Sequence, residues 1–182
     1  APNNDFSLRT SKSALKSCEE HGIKNIFLTL WGDDGGECSR FTVLPSLFAA
    51  SEYAKGNYNM GDIKRKFKEK FGISYDRFIL LDLPDGPNKG RDVRNPEKYL
   101  LYNDPFAGIF DSTLNGDESE RFSKCARKLS LLKKDPEWGF LFSAMHALCD
   151  ALAVKANIGQ ETRRVYADRD TDELNALIDK YK

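Results

Sequence analysis

Asn25-Ile26-Phe27-Leu28-Thr29-Leu30-Trp31-Gly32-Asp33-Asp34-Gly35-Gly36-Glu37 is the stretch on which the fold turns. An apolar run with β-branched and aromatic residues stops at a tryptophan and gives way to acids and glycines. A strand covered on both faces reads as such a near-continuous apolar run. Residues just past the carboxyl end of a parallel strand are where α/β proteins usually keep ligand contacts. Trp31 and Asp33 are therefore the candidate pocket residues.

Helical signals flank the stretch on both sides. Upstream, residues 1–9 read as an entering loop, with Pro2 and the polar Asn3-Asn4-Asp5. A helix is predicted from Ser11 to His21, capped by Thr10 or Ser11 and closed by Gly22. His21 in its last turn complements the helix dipole, which is a structural role. Downstream, Pro45 opens a helix that runs to about Lys55, before Gly56. Helix, strand, loop and helix form an α-β-α segment, which is not a finished fold. A lone strand leaves both rows of backbone N–H and C=O groups without partners. Its neighbours must come from a parent chain or another molecule.

Past Gly56 the pattern becomes helical. Ile63, Phe67 and Phe71 recur at four-residue spacing among Lys64, Arg65, Lys66, Lys68 and Lys70, and Gly72 ends that helix. The lysines read as a solvated face rather than a phosphate site. Ser74 caps a short helix through Tyr75, Phe78 and Leu81, stopped at Pro84-Asp85-Gly86. Residues 84–97 read as a long loop. Tyr99 to Tyr102 fits a short strand or a helix turn, and 98–114 as a whole reads as irregular. Phe122, Cys125, Ala126, Leu129 and Leu132 form the next helical stripe. Asp135-Pro136-Glu137 marks a helix start. Trp138, Leu141, Met145, Leu148 and Leu152 continue it, with His146 as a hydrogen-bonded structural histidine and Gly159 as a candidate bend. Asp170 and Glu173 resemble a capping box, and Leu174, Leu177, Ile178 and Tyr181 give the last helix an apolar face.

Composition narrows the function classes. The 182 residues hold 28 basic and 28 acidic side chains, and that balance argues against a general nucleic-acid binder or a polybasic membrane anchor. No apolar run reaches the roughly 18 residues of a membrane span, and no signal peptide is visible. The chain begins with Ala1-Pro2 rather than Met, as a processed or excerpted chain would. Cys18, Cys38, Cys125 and Cys149 include no C-x-x-C pair, and with two histidines a sequence-local zinc site is not expected. The cysteines read as reduced thiols, so a cytoplasmic location is expected, with no cofactor, no metal, no nucleic acid and no membrane partner.

The loop after the run carries the chemistry. If extension persists, Trp31 and Asp33 point to one face. An indole offers a flat wall for the C–H face of a sugar or an aromatic ring. The neighbouring carboxylate accepts directed hydrogen bonds from hydroxyl groups. Gly32, Gly35 and Gly36 let the backbone turn and a ligand approach. Three other readings stay open. Asp34-Gly35 is an ordinary turn dipeptide, with Asp33 capping it. The acids suit a hard cation, although without the full EF-hand spacing. Asp33 and Asp34 as a catalytic pair would have to span a sugar, whereas adjacent residues point apart.

The segment Phe27 to Ser39, followed by Leu44-Pro45-Ser46-Leu47, resembles family 20 glycoside hydrolases, in particular bacterial C-type β-N-acetylhexosaminidases and exo-β-glucosaminidases. Leu81-Asp82-Leu83-Pro84, Lys98 to Pro105 and the helix from Lys155 to Asp168 look like the helical carboxyl-terminal domain of that group. The resemblance implies a mainly α chain, with residues 1–56 as the last α-β-α of a (β/α)8 barrel and 57–182 as a helical C-terminal domain. Strand 25–30 would be the barrel's eighth. It also implies a retaining, substrate-assisted mechanism, in which the 2-acetamido oxygen attacks the anomeric carbon. The Asp-Glu pair that orients the acetamido group and protonates the leaving oxygen follows the fourth strand in that family, outside this chain. Asp172-Glu173 has that order but sits in the terminal helix cap.

By resemblance, Trp31 lines the sugar subsite, Asp33 binds nonreducing hydroxyls, and neither is catalytic. The expected partners are a terminal β-GlcNAc or GalNAc, the rest of the parent barrel, and a second copy through the lone strand. The chain alone is expected to lack hydrolase activity. The alternative is a self-contained helical protein-interaction module without enzymatic activity.

Overall fold

The computed structural model describes residues 1–30, 38–85 and 96–181, and among these it contains helices and turns but no strand. Two compact units divide the chain, Ala1–Leu83 and Pro84–Lys182.

The first unit holds α1 (Asn4–Glu20), α2 (Leu44–Tyr53), α3 (Met60–Phe71) and α4 (Tyr75–Phe78), with 3-10 turns at Arg40–Val43 and Ile79–Asp82. Helix α1 begins seven residues before the expected Ser11, within the predicted entering loop. Asn3 is its cap, accepting from the Phe6 N–H at 2.9 Å, and Asp5 lies in the first turn. Asparagine and aspartate favour loops and N-caps alike, so composition could not separate the two. At the other end, the His21 ring nitrogen meets the Ser17 carbonyl at 2.8 Å, a last-turn helix contact as expected.

The predicted strand is not formed. Residues 24–30 adopt no regular element, and their apolar side chains face solvent: Phe27 is 93% exposed and Leu30 57%. A strand exists only against a neighbouring strand, and the described residues contain no other strand. Propensity survives in the sequence; the partner does not.

The helical readings after Gly56 hold. Asn59 caps α3 by accepting from the N–H groups of Gly61 and Asp62, and Gly72 closes it at φ +70°. That left-handed angle suits a residue without Cβ. Phe67 is fully buried and stands at the centre of an aromatic cluster, with ring centroids 4.6–5.7 Å apart among Phe48, Phe71, Tyr75 and Phe78. Burying a phenylalanine of this kind is worth about 2–3 kcal/mol. A neighbouring core joins Leu15 of α1, Ala49, Ala50 and Tyr53 of α2, and Ile63 of α3. Ser74 caps α4, accepting from the Arg77 N–H at 3.3 Å.

The second unit contains α5 (Pro96–Tyr102), a 3-10 turn at Asp111–Thr113, α6 (Glu118–Ser130), α7 (Gly139–Asp168) and α8 (Thr171–Tyr181). Tyr99 to Tyr102 is thus helical, which settles the strand-or-helix choice. Helices α6 and α7 form its central hairpin, burying Phe122, Cys125, Ala126 and Leu129 on one side and Leu141, Phe142, Met145, Cys149 and Leu152 on the other. By length and composition alone α7 is apolar enough to cross a membrane. Its wholly buried Phe142, Cys149 and Leu152 make it the core helix of this unit.

The start of α7 and the α8 face differ from expectation. Asp135 caps a turn rather than the helix itself, accepting from Glu137 and Trp138 N–H, and α7 starts at Gly139. Gly139 lies against the Lys133 carbonyl, where a Cβ would come within 2.4 Å of the oxygen. As expected, α7 continues past Gly159; a Cβ there would lie 2.7 Å from the Pro105 carbonyl oxygen, so glycine permits a close crossing. Of the expected α8 face, Leu177 is buried, while Ile178 and Tyr181 are 49% and 44% exposed. The Asp170 cap itself is present, accepting from the Glu173 N–H at 2.9 Å.

Candidate functional site

Trp31 and Asp33 lie outside the described residues, so the structure bears on the site through the chain on either side of them. The near end is the exposed run to Leu30. The far end begins at Cys38 and Ser39 and is firmly tied.

Ser39 caps the turn Arg40–Val43, accepting from the Phe41 N–H at 3.3 Å. The Thr42 hydroxyl donates to the Ser39 carbonyl at 2.6 Å and lies 3.7 Å from the Cys38 sulfur. Asn4 locks this turn from the side. Its amide donates to the Thr42 carbonyl at 3.0 Å and to Asp82 Oδ1 at 2.7 Å, while its Oδ1 accepts from the Ser46 N–H at 3.3 Å. Asp82 Oδ2 accepts the Asn4 backbone N–H at 2.8 Å. Asn4, Thr42 and Ser46 are buried, so the bonds among them are shielded from water. A carboxylate at the first turn of α1 also meets the positive end of the helix dipole.

The knot joins three chain segments: the start of α1, the start of α2 and the turn before Pro84. Sequence reasoning missed Asn4, which was assigned to a loop. Asp82 had been noticed only as part of Leu81-Asp82-Leu83-Pro84. The available signal was an acid just before a proline stop, with an asparagine pair near the amino terminus.

Other candidates resolve as structural. His146 Nδ1 lies 2.7 Å from Asp150 Oδ2, one helical turn on, as a structural histidine should. The basic face of α3 is matched by carboxylates: Lys64 with Asp76, Arg65 with Asp62 and Glu69, and Lys66 with Glu52 and Asp62. Glu52 is buried and accepts from Lys55, Lys66 and Asn57. Those bonds, Lys55 foremost, hold its pKa down to about 2. Among the described residues no three His, Cys, Asp or Glu side chains gather as a metal set. A second Asp-Glu pair, Asp117-Glu118, passed unremarked in the sequence. Glu118 is buried and accepts from the N–H groups of Asn115 and Gly116, both at 2.9 Å, which makes it a cap for the approach to α6.

Residues 76–181 match the family model of the glycoside hydrolase 20C C-terminal domain. The chain belongs to this family. The matched segment includes Asp82 and runs from α4 to the end of α8, and among its described residues the regular structure is helical. The 20C C-terminal domain thus accounts for α5 to α8 and ties the chain to family 20 glycoside hydrolases. No curated protein matches the chain.

Proposed function

We propose that the chain is the carboxyl-terminal part of an enzyme that removes terminal β-linked N-acetylhexosamine by a retaining, substrate-assisted mechanism. The 20C C-terminal domain match carries this proposal. The knot extends it toward the loop: Asp82 belongs to the matched segment and holds Asn4, which in turn holds Thr42 and Ser46 just beyond Trp31 and Asp33.

In this account residues 1–56 complete a (β/α)8 barrel and residues 57–182 form its helical neighbour. The run 25–30 becomes the eighth strand once flanking strands pair with it. The exposure of Phe27, Leu28 and Leu30 supports this, because a run so apolar gains from being covered on both faces. Trp31 then stacks on the sugar's apolar face, and Asp33 accepts hydrogen bonds from its nonreducing hydroxyls. The substrate's acetamido oxygen attacks the anomeric carbon, and the group that protonates the leaving oxygen comes from outside this chain. The parent is a bacterial enzyme acting in the cytoplasm on β-GlcNAc or β-GalNAc termini, without a cofactor.

Trp31 and Asp33 bind but transfer no proton, so the chain alone should leave a chromogenic GlcNAc β-glycoside intact. Turnover with a measurable specific activity would overturn the assignment of the acid to another part of the parent.

A further inference from the structure

Helices α6 and α7 run antiparallel, and contacts near both ends fix their register. Close to the turn, Gly139 lies against the Lys133 carbonyl; toward the open end, the Ser119 hydroxyl donates to the Ala153 carbonyl. Cys125 and Cys149 fall level with each other between these two contacts, and their thiols are hydrogen-bonded across the interface. Neither is in a disulfide, and both face the core: Cys149 is fully buried and Cys125 retains 9% exposure.

We propose that Cys125 and Cys149 are a dithiol oxidation site, closed to an intramolecular disulfide by small hydroperoxides and reopened by thiols. No single cysteine produces this arrangement; it comes from two sulfurs already in contact on two helices whose register is set independently.

The chemistry divides unequally between the pair. The hydrogen bond from Cys149 holds the Cys125 thiol below its ordinary range, with Arg121 and Lys128 adding positive charge. That bond and burial push the Cys149 thiol up. Cys125 is also the less buried residue of the two, so it is the attacking group. Its thiolate attacks one peroxide oxygen, the O–O bond breaks, and the other oxygen leaves with a proton as alcohol or water. The Cys125 sulfenic acid remains. Cys149 sulfur then attacks Cys125 sulfur, the S–O bond breaks, and hydroxide leaves as water with the Cys149 proton. Two thiols lose two electrons to one hydroperoxide. The product bridges α6 to α7 and closes the hairpin between them.

The test uses the whole chain with Cys18→Ser and Cys38→Ser, so that only this pair can respond. Hydrogen peroxide is titrated in, then thiol titration and intact mass are read, with peptide mapping and dithiothreitol reversal. The expected result is loss of both thiols together, a mass lower by two hydrogens, one Cys125–Cys149 cross-linked peptide, and full recovery on reduction. Cys125→Ala, verified as helical by circular dichroism, should leave Cys149 reduced under the same dose. Persistent free thiols, or oxygen added to Cys125 without a cross-link, would overturn the proposal. So would bridging only between separate molecules.

Discussion

Asp82 accepts hydrogen bonds from both the backbone N–H and the side-chain amide of Asn4, at 2.8 and 2.7 Å. These residues lie 78 positions apart, and their union fixes the chain from Thr42 to Ser46, downstream of Trp31 and Asp33 in sequence. One carboxylate therefore sets the start of α1 and, through Asn4, the start of α2.

Removing that link should be costly because Asn4, Thr42 and Ser46 are buried and Asp82 is half-buried. Asn4→Ala should lower stability by about 1–3 kcal/mol, as expected when buried partners lose a hydrogen-bonding group. Asn4→Asp should be worse, since it sets a second carboxylate against Asp82. Urea unfolding followed by circular dichroism measures both. Equal midpoints for wild type and Asn4→Asp would show that the knot contributes nothing.

Glu52 makes stability depend on acidity. Its carboxyl is held down to about 2 from an ordinary 4.5, chiefly by the hydrogen bond from Lys55 and then by Lys66 and Asn57. The unfolded chain then takes up a proton at higher pH than the folded one, so this contribution is full above about 4.5 and is lost as pH falls toward about 2. Glu52→Gln should flatten the fall in urea midpoint across that window. An unchanged slope would contradict the assignment.

Glycine at 159 is predicted to be required by packing. Alanine normally favours a helix interior by about 1 kcal/mol. Here its Cβ would meet the Pro105 carbonyl oxygen at 2.7 Å and Cα at 2.9 Å, both backbone atoms that cannot swing away. Gly159→Ala should therefore destabilise by about 1–3 kcal/mol, a sign opposite to propensity. Thermal unfolding decides between the two signs.

These cases show what was legible beforehand. The stripes of α3 and α6 were readable because each spacing places one face on its own unit's core. Ser74, Asn59 and Gly72 act locally, and the first and last were recognised from sequence. Asn4 was not, because its value lies in a partner 78 residues away. The run 25–30 was readable as apolar, yet its state depends on strands the chain lacks among its described residues. Gly159 was visible, but its neighbour Pro105 was not. Trp31 and Asp33 rest on resemblance and fall outside the described residues.

Exposed apolar chain should also show itself in solution. Phe27 and Leu28, 93% and 53% exposed, are expected to drive self-association of the isolated chain through their exposed apolar surface. Phe27→Lys with Leu28→Lys should shift the sedimentation pattern toward monomer while leaving the helical spectrum unchanged. Identical distributions for both proteins would rule out this route to association.

The central claim is that this chain supplies sugar recognition to a larger glycosidase. Its most direct test is kcat/KM for a chromogenic GlcNAc β-glycoside, measured on the full-length enzyme carrying Asp33→Ala. Losing two charge-assisted hydrogen bonds to substrate hydroxyls predicts a fall of about 10²- to 10⁴-fold, with the fold intact. A value within about threefold of wild type would contradict the claim, because so small a change is under 1 kcal/mol of transition-state binding.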